Sequence, residues 1–418
     1  MLNKDNVREL AYLVRVDAIT PMNADCLECA HIGGWHCVVG KGEFKVGDPA
    51  VYFEIDSQLP DVEPFSSMEF LKSKHFKIKS QKIRGEISQG LLMPVSAFGW
   101  TITKDIRNQI QIVIDGQNCE HIVDDESRFL TQVLGVTYAD PGDNARKASS
   151  PDKYKRMTRR HPNIFKKPWA KWLMRRAWGR KLMFFFFGKK RDKKPDWPYW
   201  VKQTDEERIQ NCAWILNDTE REWIPTEKID GSSTTFTMHR KGFKKEFFVC
   251  SRNVVTLCKS NKKCFYETNI YTKMAEKYGM ENKLKQMWEV TECCDREPLE
   301  FITIQAETYG AGVQKRNYGL KDCDMAIFNI IFGYKDGRVK RLNPIEGAGK
   351  AAAYGLPYVP VLGIATHLPN DCDAVLAMAE AEASHIDGGM REGIVFRSTD
   401  GEASFKAVSN AFLLKYHR

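Results

Sequence analysis

The sequence predicts an α+β protein: a small N-terminal β-barrel, then a larger domain built on an antiparallel sheet. Three observations carry this. Short apolar or alternating runs, broken by Gly, Pro and Asp, crowd residues 1 to about 146. A stretch over about 147–199 changes sharply to cations and aromatics. From about 200 onward, strand and helix patterns mix. A chain of 418 residues is also too long for one core.

The first region has strand patterns at 11–16, 35–39, 50–55, 76–83 and 90–93. Close spacing of short strands suits an OB-like barrel. The run 76–84 carries Lys77, Lys79, Lys82 and Arg84, which suits a strand facing nucleic acid or a solvated edge. Cys26 and Cys29 have CxxC spacing, with His31, His36 and Cys37 following. Zinc would need a second pair, and none completes the site, so two strands around Gly33 and Gly34 are the better reading. The cysteines are expected as free thiols.

In the second region Arg159, Arg160, Lys166, Lys167, Arg175 and Arg176 begin a dense run of cations. Trp169, Trp172, Trp178 and the phenylalanines 184–187 interleave with it. Nucleic acid explains this pattern best, a helical linker next, an interfacial helix last. The third region opens with Thr204 and Glu207 spaced as a capping box, predicting a helix through about 216. Strands are predicted at 221–227, 232–240, 243–251, 301–309, 324–332, 391–398 and 403–408. Helices are predicted within 266–289, 344–354 and 372–385.

The net charge of +9 favours anionic partners without excluding an ordinary enzyme. No apolar run reaches the ~18 residues that span a bilayer, and the first residues lack a signal-peptide pattern. A soluble, cytoplasmic protein with no membrane partner is expected.

The chemistry concentrates in ordered segments. Glu227-Lys228-Ile229-Asp230-Gly231 lies between two strand patterns. A lysine at a sheet's mouth, beside an acid and a glycine, can act as a covalent nucleophile. Its amine must be neutral to attack, which nearby cations or a metal ion would favour. Alone, this short motif is better read as a surface turn. Downstream, in order, come Arg252 after a strand, Glu307 at a strand end, Phe328 within a strand, Glu392 before one, and Lys406 within the last.

In that order the segments resemble motifs I, Ia, III, IIIa, IV and V of the covalent nucleotidyltransferases: RNA ligases, DNA ligases and mRNA capping enzymes. The resemblance implies a nucleotide pocket between two antiparallel sheets, an ATP-grasp-like adenylyltransferase domain over 200–418. It makes Lys228 the nucleophile that takes AMP from ATP. Glu227 would accept from the adenine amine, Phe328 would stack on the base, and Gly231 would admit the nucleotide. Arg252 would bind ribose or phosphate. Glu307 would bind the ribose hydroxyls or a metal-bound water. Asp230, Glu307 and Glu392 would help hold Mg²⁺ or Mn²⁺, and Lys406 would neutralise the α-phosphate.

With the barrel in front and little chain after Lys406, the order resembles family-5 (Deinococcus-type) RNA ligases. That implies domains at 1–146, a linker at 147–199 and catalysis at 200–418. It also implies sealing of nicked RNA or RNA/DNA duplexes with RNA on the 3′-OH side. Motif V departs from many relatives in having one lysine where they have two, leaving Arg397 or Lys415 as the second cation. A DNA ligase, a GTP-using capping enzyme and a non-catalytic nucleic-acid-binding protein are the rival readings.

Overall fold

A computed structural model describes all residues except 4, 6, 107–108, 124, 139–161, 188–196, 203–205, 259–261, 264–268 and 417–418. The chain divides into two compact units. One comprises 1–55, 79–134 and 194–418; the other comprises 56–78 and 135–193.

The first unit begins with β1 (Ala11–Arg15), β2 (Ala18–Pro21), β3 (Leu27–Ile32), β4 (Trp35–Gly40) and β5 (Pro49–Phe53). After β6 (Ser57–Gln58), which belongs to the other unit, come β7 (Gln81–Ile83), β8 (Glu86–Ser88) and β9 (Leu91–Pro94). β10 (Thr101–Ile106), β11 (Gln109–Ile114) and β12 (Gln117–Ile122) follow. The sheets run β1-β5-β9, β2-β3-β4, β7-β8 and β10-β11-β12, all antiparallel. Tyr12, Trp35, Phe44 and Tyr52 fill the interior. Cys37 is buried among them, Cys29 is buried within β3, and Cys26, just before β3, is exposed, so these residues are placed by the strands.

The expected strand over 76–83 shrinks to β7. His75 and Phe76 take positive φ of 52° and 57°, which breaks an extended run before Lys77. Arg84 (φ 50°) and Gly85 (φ 99°) then turn β7 into β8. Two successive positive φ values are what a tight hairpin turn demands.

The helix expected through 216 is also replaced. Ile209–Asn211 and Ala213–Asn217 are separate 3₁₀ turns, broken at Cys212 (φ −134°, ψ 34°). Ile209, Cys212 and Leu216 sink into the core, and that anchoring wins over continuous helix. Thr204 lies outside the described residues.

The larger part holds two antiparallel sheets. β14 (Trp223–Lys228), β22 (Gly393–Ser398) and β23 (Ser404–Val408) form the smaller. β14 lies at its edge, which tolerates Pro225. The larger has the order β18-β17-β16-β15-β19-β20-β21. Its strands are β15 (Ser232–Lys241), β16 (Lys244–Cys250), β17 (Val255–Cys258), β18 (Lys262–Lys263), β19 (Leu299–Gly310), β20 (Cys323–Tyr334) and β21 (Val339–Arg341).

Helices Ile270–Lys277 and Met280–Asp295, parted by Gly279 in the left-handed region, contribute Met274, Leu284, Met287 and Trp288 to this sheet's core. Helix Pro344–Ala353 starts from a complete capping box, Asn343 with Glu346. Helix Cys372–Glu380 packs on the small sheet, over Trp223, Phe396 and Phe405. The two parts of this unit meet directly: Leu2 N–H donates to Asn211 O at 2.9 Å, and Ile87 packs with Val408 and Leu413.

The second unit pairs β6 with β13 (Thr137–Tyr138) and carries helices Glu69–Lys72, Pro162–Phe165, Pro168–Met174 and Ala177–Phe187. No helix among the described residues is long and apolar enough to cross a membrane.

Candidate active site

A cavity of about 430 Å³ opens between the two sheets of the larger part. Its wall contains all nine residues singled out from the sequence: Glu227, Lys228, Asp230, Gly231, Arg252, Glu307, Phe328, Glu392 and Lys406. They are scattered over about 180 positions, and sheet register is what gathers them.

Lys228 ends β14 opposite Gly393, the first residue of β22, so Glu392 arrives beside it. Lys228 Nζ donates to Glu392 Oε1 at 2.7 Å. Gly393 sits tightly against β23; a Cβ there would lie 2.2 Å from Ala407 O. Lys406 pairs with Val395 across that same ladder. Glu307 comes from β19, opposite Ser233 and Ala326. Gly231 permits the crossing from β14 to β15. Its Cβ would meet Thr308 O at 2.3 Å and Glu307 Cγ at 2.9 Å.

Phe328 reaches the cavity through a defect in pairing. Gln305 pairs with Asn329, whereas Ala306 pairs with Ile327. The residue left over is Phe328, bulged out of the ladder. Arg397 lies over its ring, 5.7 Å from guanidinium carbon to centroid.

Glu227 is held from behind. Ser384 Oγ donates to Oε1 at 2.5 Å and His385 N–H to Oε2 at 2.8 Å. A carboxylate has about four acceptor sites, so room for another donor remains. Asp230 N–H donates to Tyr318 Oη at 2.7 Å, fixing the turn after the lysine.

Electrostatics around Lys228 run opposite to the sequence expectation. Burial disfavours its charge, but Glu392, Glu307 and Asp230 outweigh burial and raise its pKa above the usual lysine value. Glu307 responds in turn. Burial, with Glu392 and Asp230 adding repulsion, pushes Glu307 up to about 8, against the opposing pull of Lys228 and Arg252.

Reasoning from sequence missed several wall residues: Glu206, Thr226, Gln314, Val359 and Val395. Arg397, one of two cations considered for the second phosphate contact, lines the cavity; Lys415 does not. Arg397 is buried, donating from Nη1 to Thr226 Oγ1 and from Nη2 to Glu206 Oε1, both at 3.2 Å.

Asp230, Glu307 and Glu392 share the wall, yet among the described residues no group of three His, Cys, Asp or Glu side chains closes into a ligand cluster. Glu392 Oε2 is nevertheless buried without a hydrogen-bond partner. Hard oxygen donors, incomplete by themselves, suit a divalent ion that takes its other ligands from phosphate and water.

Residues 10–95 match the model of an OB-fold domain, and residues 221–416 match that of RNA ligase. This chain carries an RNA ligase domain. Solved structures of the RNA ligase of Naegleria gruberi resemble it over nearly its whole length. The complex of a mutant with ATP and Mn is 25% identical, with a TM-score of 0.61, covering 98% of this chain and 99% of that one. The complex with PPi is 26% identical, with a TM-score of 0.61 and the same coverage. A mutant with AMP and Mn is 26% identical, with a TM-score of 0.62, again covering 98% and 99%. Among curated protein sequences none matches. The ligase domain follows an OB-fold domain, the order the sequence predicted, and all nine expected residues line its cavity.

Proposed function

We propose that this protein is an ATP-dependent polynucleotide ligase that joins 3′-OH and 5′-phosphate ends through a lysyl-AMP on Lys228. The observation that carries the reading is Lys228 within 2.7 Å of Glu392, in a cavity lined by every other expected group. The 430 Å³ volume suits a nucleotide.

In the first step Lys228 Nζ attacks the α-phosphorus of ATP. A P–N bond forms, the bond to the β-phosphate oxygen breaks, and pyrophosphate leaves with its electron pair. Glu392 Oε1, already the acceptor for Nζ, is placed to take the amine's proton. Lys406 and Arg397 supply positive charge for the phosphates. Phe328 stacks on the base and Glu227, fixed by Ser384 and His385, accepts from the adenine amine. Arg252 contacts ribose or phosphate, and Gly231 leaves backbone room for the nucleotide. Asp230, Glu307 and Glu392 would hold Mg²⁺ or Mn²⁺, which neutralises phosphate charge when bound.

In the second step an oxygen of the 5′-phosphate end attacks the phosphorus of lysyl-AMP and frees Lys228. In the third, the 3′-OH attacks that 5′-phosphate and expels AMP. The likeness to family-5 ligases supports a nicked duplex with RNA on the 3′-OH side, bound by residues 1–146 and sealed by 200–418.

Incubation with α-labelled ATP and divalent metal, followed by denaturing electrophoresis, tests the first step. A labelled 48.0 kDa band that pyrophosphate discharges and Lys228→Ala removes is expected. Labelling from GTP instead would favour a capping enzyme. Equal sealing of nicks ending in deoxyribose would favour a DNA ligase. No labelling from either nucleotide, in a sample free of prior adenylylation, overturns the reading.

A further inference from the structure

The helices Pro168–Met174 and Ala177–Phe187 form a small hairpin in the second unit. It has its own interior: Phe165, Ala170 and Met183 are buried, with Leu173, Met174, Phe184 and Phe187 packed against them. Gly179 allows the close approach, since a Cβ there would lie 2.2 Å from Leu173 O. Apolar needs are thus met on one side.

The opposite side is aromatic and exposed. Trp169 and Trp172 are each 49% exposed, Trp178 54%, Phe185 80% and Phe186 67%. Among the described residues of the chain this is its densest group of exposed large aromatics. Seven lysines and arginines stand between 163 and 187, all exposed, and no acid occurs from 153 to 191. Arg176 lies 4.0 Å over the Trp172 ring, so cation and aromatic already share one surface.

We propose that this hairpin is a binding surface for single-stranded RNA, contacting a strand through stacked bases and neutralised phosphates. This rests on the reading that the chain acts on RNA. Charge selects a polyanion. The rings select unpaired bases, because a base inside an A-form duplex presents no free face for stacking. The predominance of flat aromatics over aliphatics, with Leu182 the one large exposed aliphatic of these two helices, favours bases over lipid chains.

The test is fluorescence anisotropy of the full chain with a labelled oligouridylate 30-mer, a blunt RNA duplex of equal length, and vesicles of phosphatidylglycerol in phosphatidylcholine. The single strand should bind tighter than the duplex. The fourfold variant with Ala at Trp172, Trp178, Phe185 and Phe186 should weaken single-strand binding at least tenfold and duplex binding little. Glu at Arg175, Arg176, Arg180 and Lys181 should lower the salt slope by about 3, at roughly 0.7 for each phosphate no longer neutralised.

Both variants should form lysyl-AMP at the wild-type rate, which shows an intact ligase domain. Failure of labelling in the wild type would indict the proposed function instead. Unchanged single-strand affinity in the aromatic variant, preference for duplex, or loss of vesicle binding alone would overturn the hairpin proposal.

Discussion

Replacing Gly231 with Ala tests whether the backbone crossing beside Lys228 sets the position of that lysine, the nucleophile of the proposed reaction. The new Cβ would stand 2.3 Å from Thr308 O and 2.9 Å from Glu307 Cγ. Ordinary carbon contact is about 3.5 Å or more, so the overlap is roughly an ångström. Thr308 is the ladder partner of Ser232, and its carbonyl cannot rotate away as a side chain could. Either β15 moves from β19, or the turn carrying Lys228 moves from Glu307. Overpacking of this kind costs about 1–3 kcal/mol, a fall of several degrees in Tm for a domain of this size. A misplacement of about 1 Å also costs about 100-fold in rate. Single-turnover lysyl-AMP formation from labelled ATP reads the second effect and a thermal melt the first. Gly349→Ala is the control, since nothing lies within 4 Å of its Cβ position and it sits within a helix. Adenylylation of Gly231→Ala within threefold of wild type, at an unchanged Tm, would refute the reasoning.

Other substitutions probe separate parts of the site. Ser384→Ala removes the hydroxyl bound to Glu227 Oε1 and should raise KM for ATP about tenfold, as expected for a lost bond to a charged group, with kcat changed less. Phe328→Leu should weaken ATP binding about 2- to 10-fold by loss of stacking, measured by titration of the Lys228→Ala protein background. Arg397→Lys cannot keep both contacts to Thr226 and Glu206; lysyl-AMP formation should drop at least tenfold, whereas Lys415→Ala should leave it unchanged. Trp223→Ala, which empties the core under the small sheet, should cost about 3–5 kcal/mol in chemical denaturation.

The strands of the ligase domain were legible because their apolar alternation is long, and all seven predicted runs overlap strands of the structure. The residues that gather in the cavity wall were legible through the order of short motifs. What escaped were effects of distance and of single dihedrals. Ser384 lies 157 residues from the glutamate it holds, and nothing local marks it. Phe76 opens a strand pattern, yet positive φ at it and at His75 breaks the extended run there. The direction of the Lys228 shift also escaped, because beside the neighbouring Asp230 it depends on Glu392 and Glu307, brought in by distant parts of the chain.

The bulge at Phe328 separates two jobs that a regular strand would fuse. In an unbroken ladder, every side chain has a cross-strand mate, and changing one alters the fit of the other. Phe328 has no mate opposite it in the β19–β20 pairing. The ring can therefore be exchanged for another with Gln305–Asn329 and Ala306–Ile327 left in register. Deleting the residue would do the reverse: it would restore a straight ladder and withdraw the ring from the cavity, with the facing of both flanks kept, because Ile327 and Ile330 already share one core. The identity of the ring is thus exposed to point substitution, while its presence in the cavity is tied to the length of the strand.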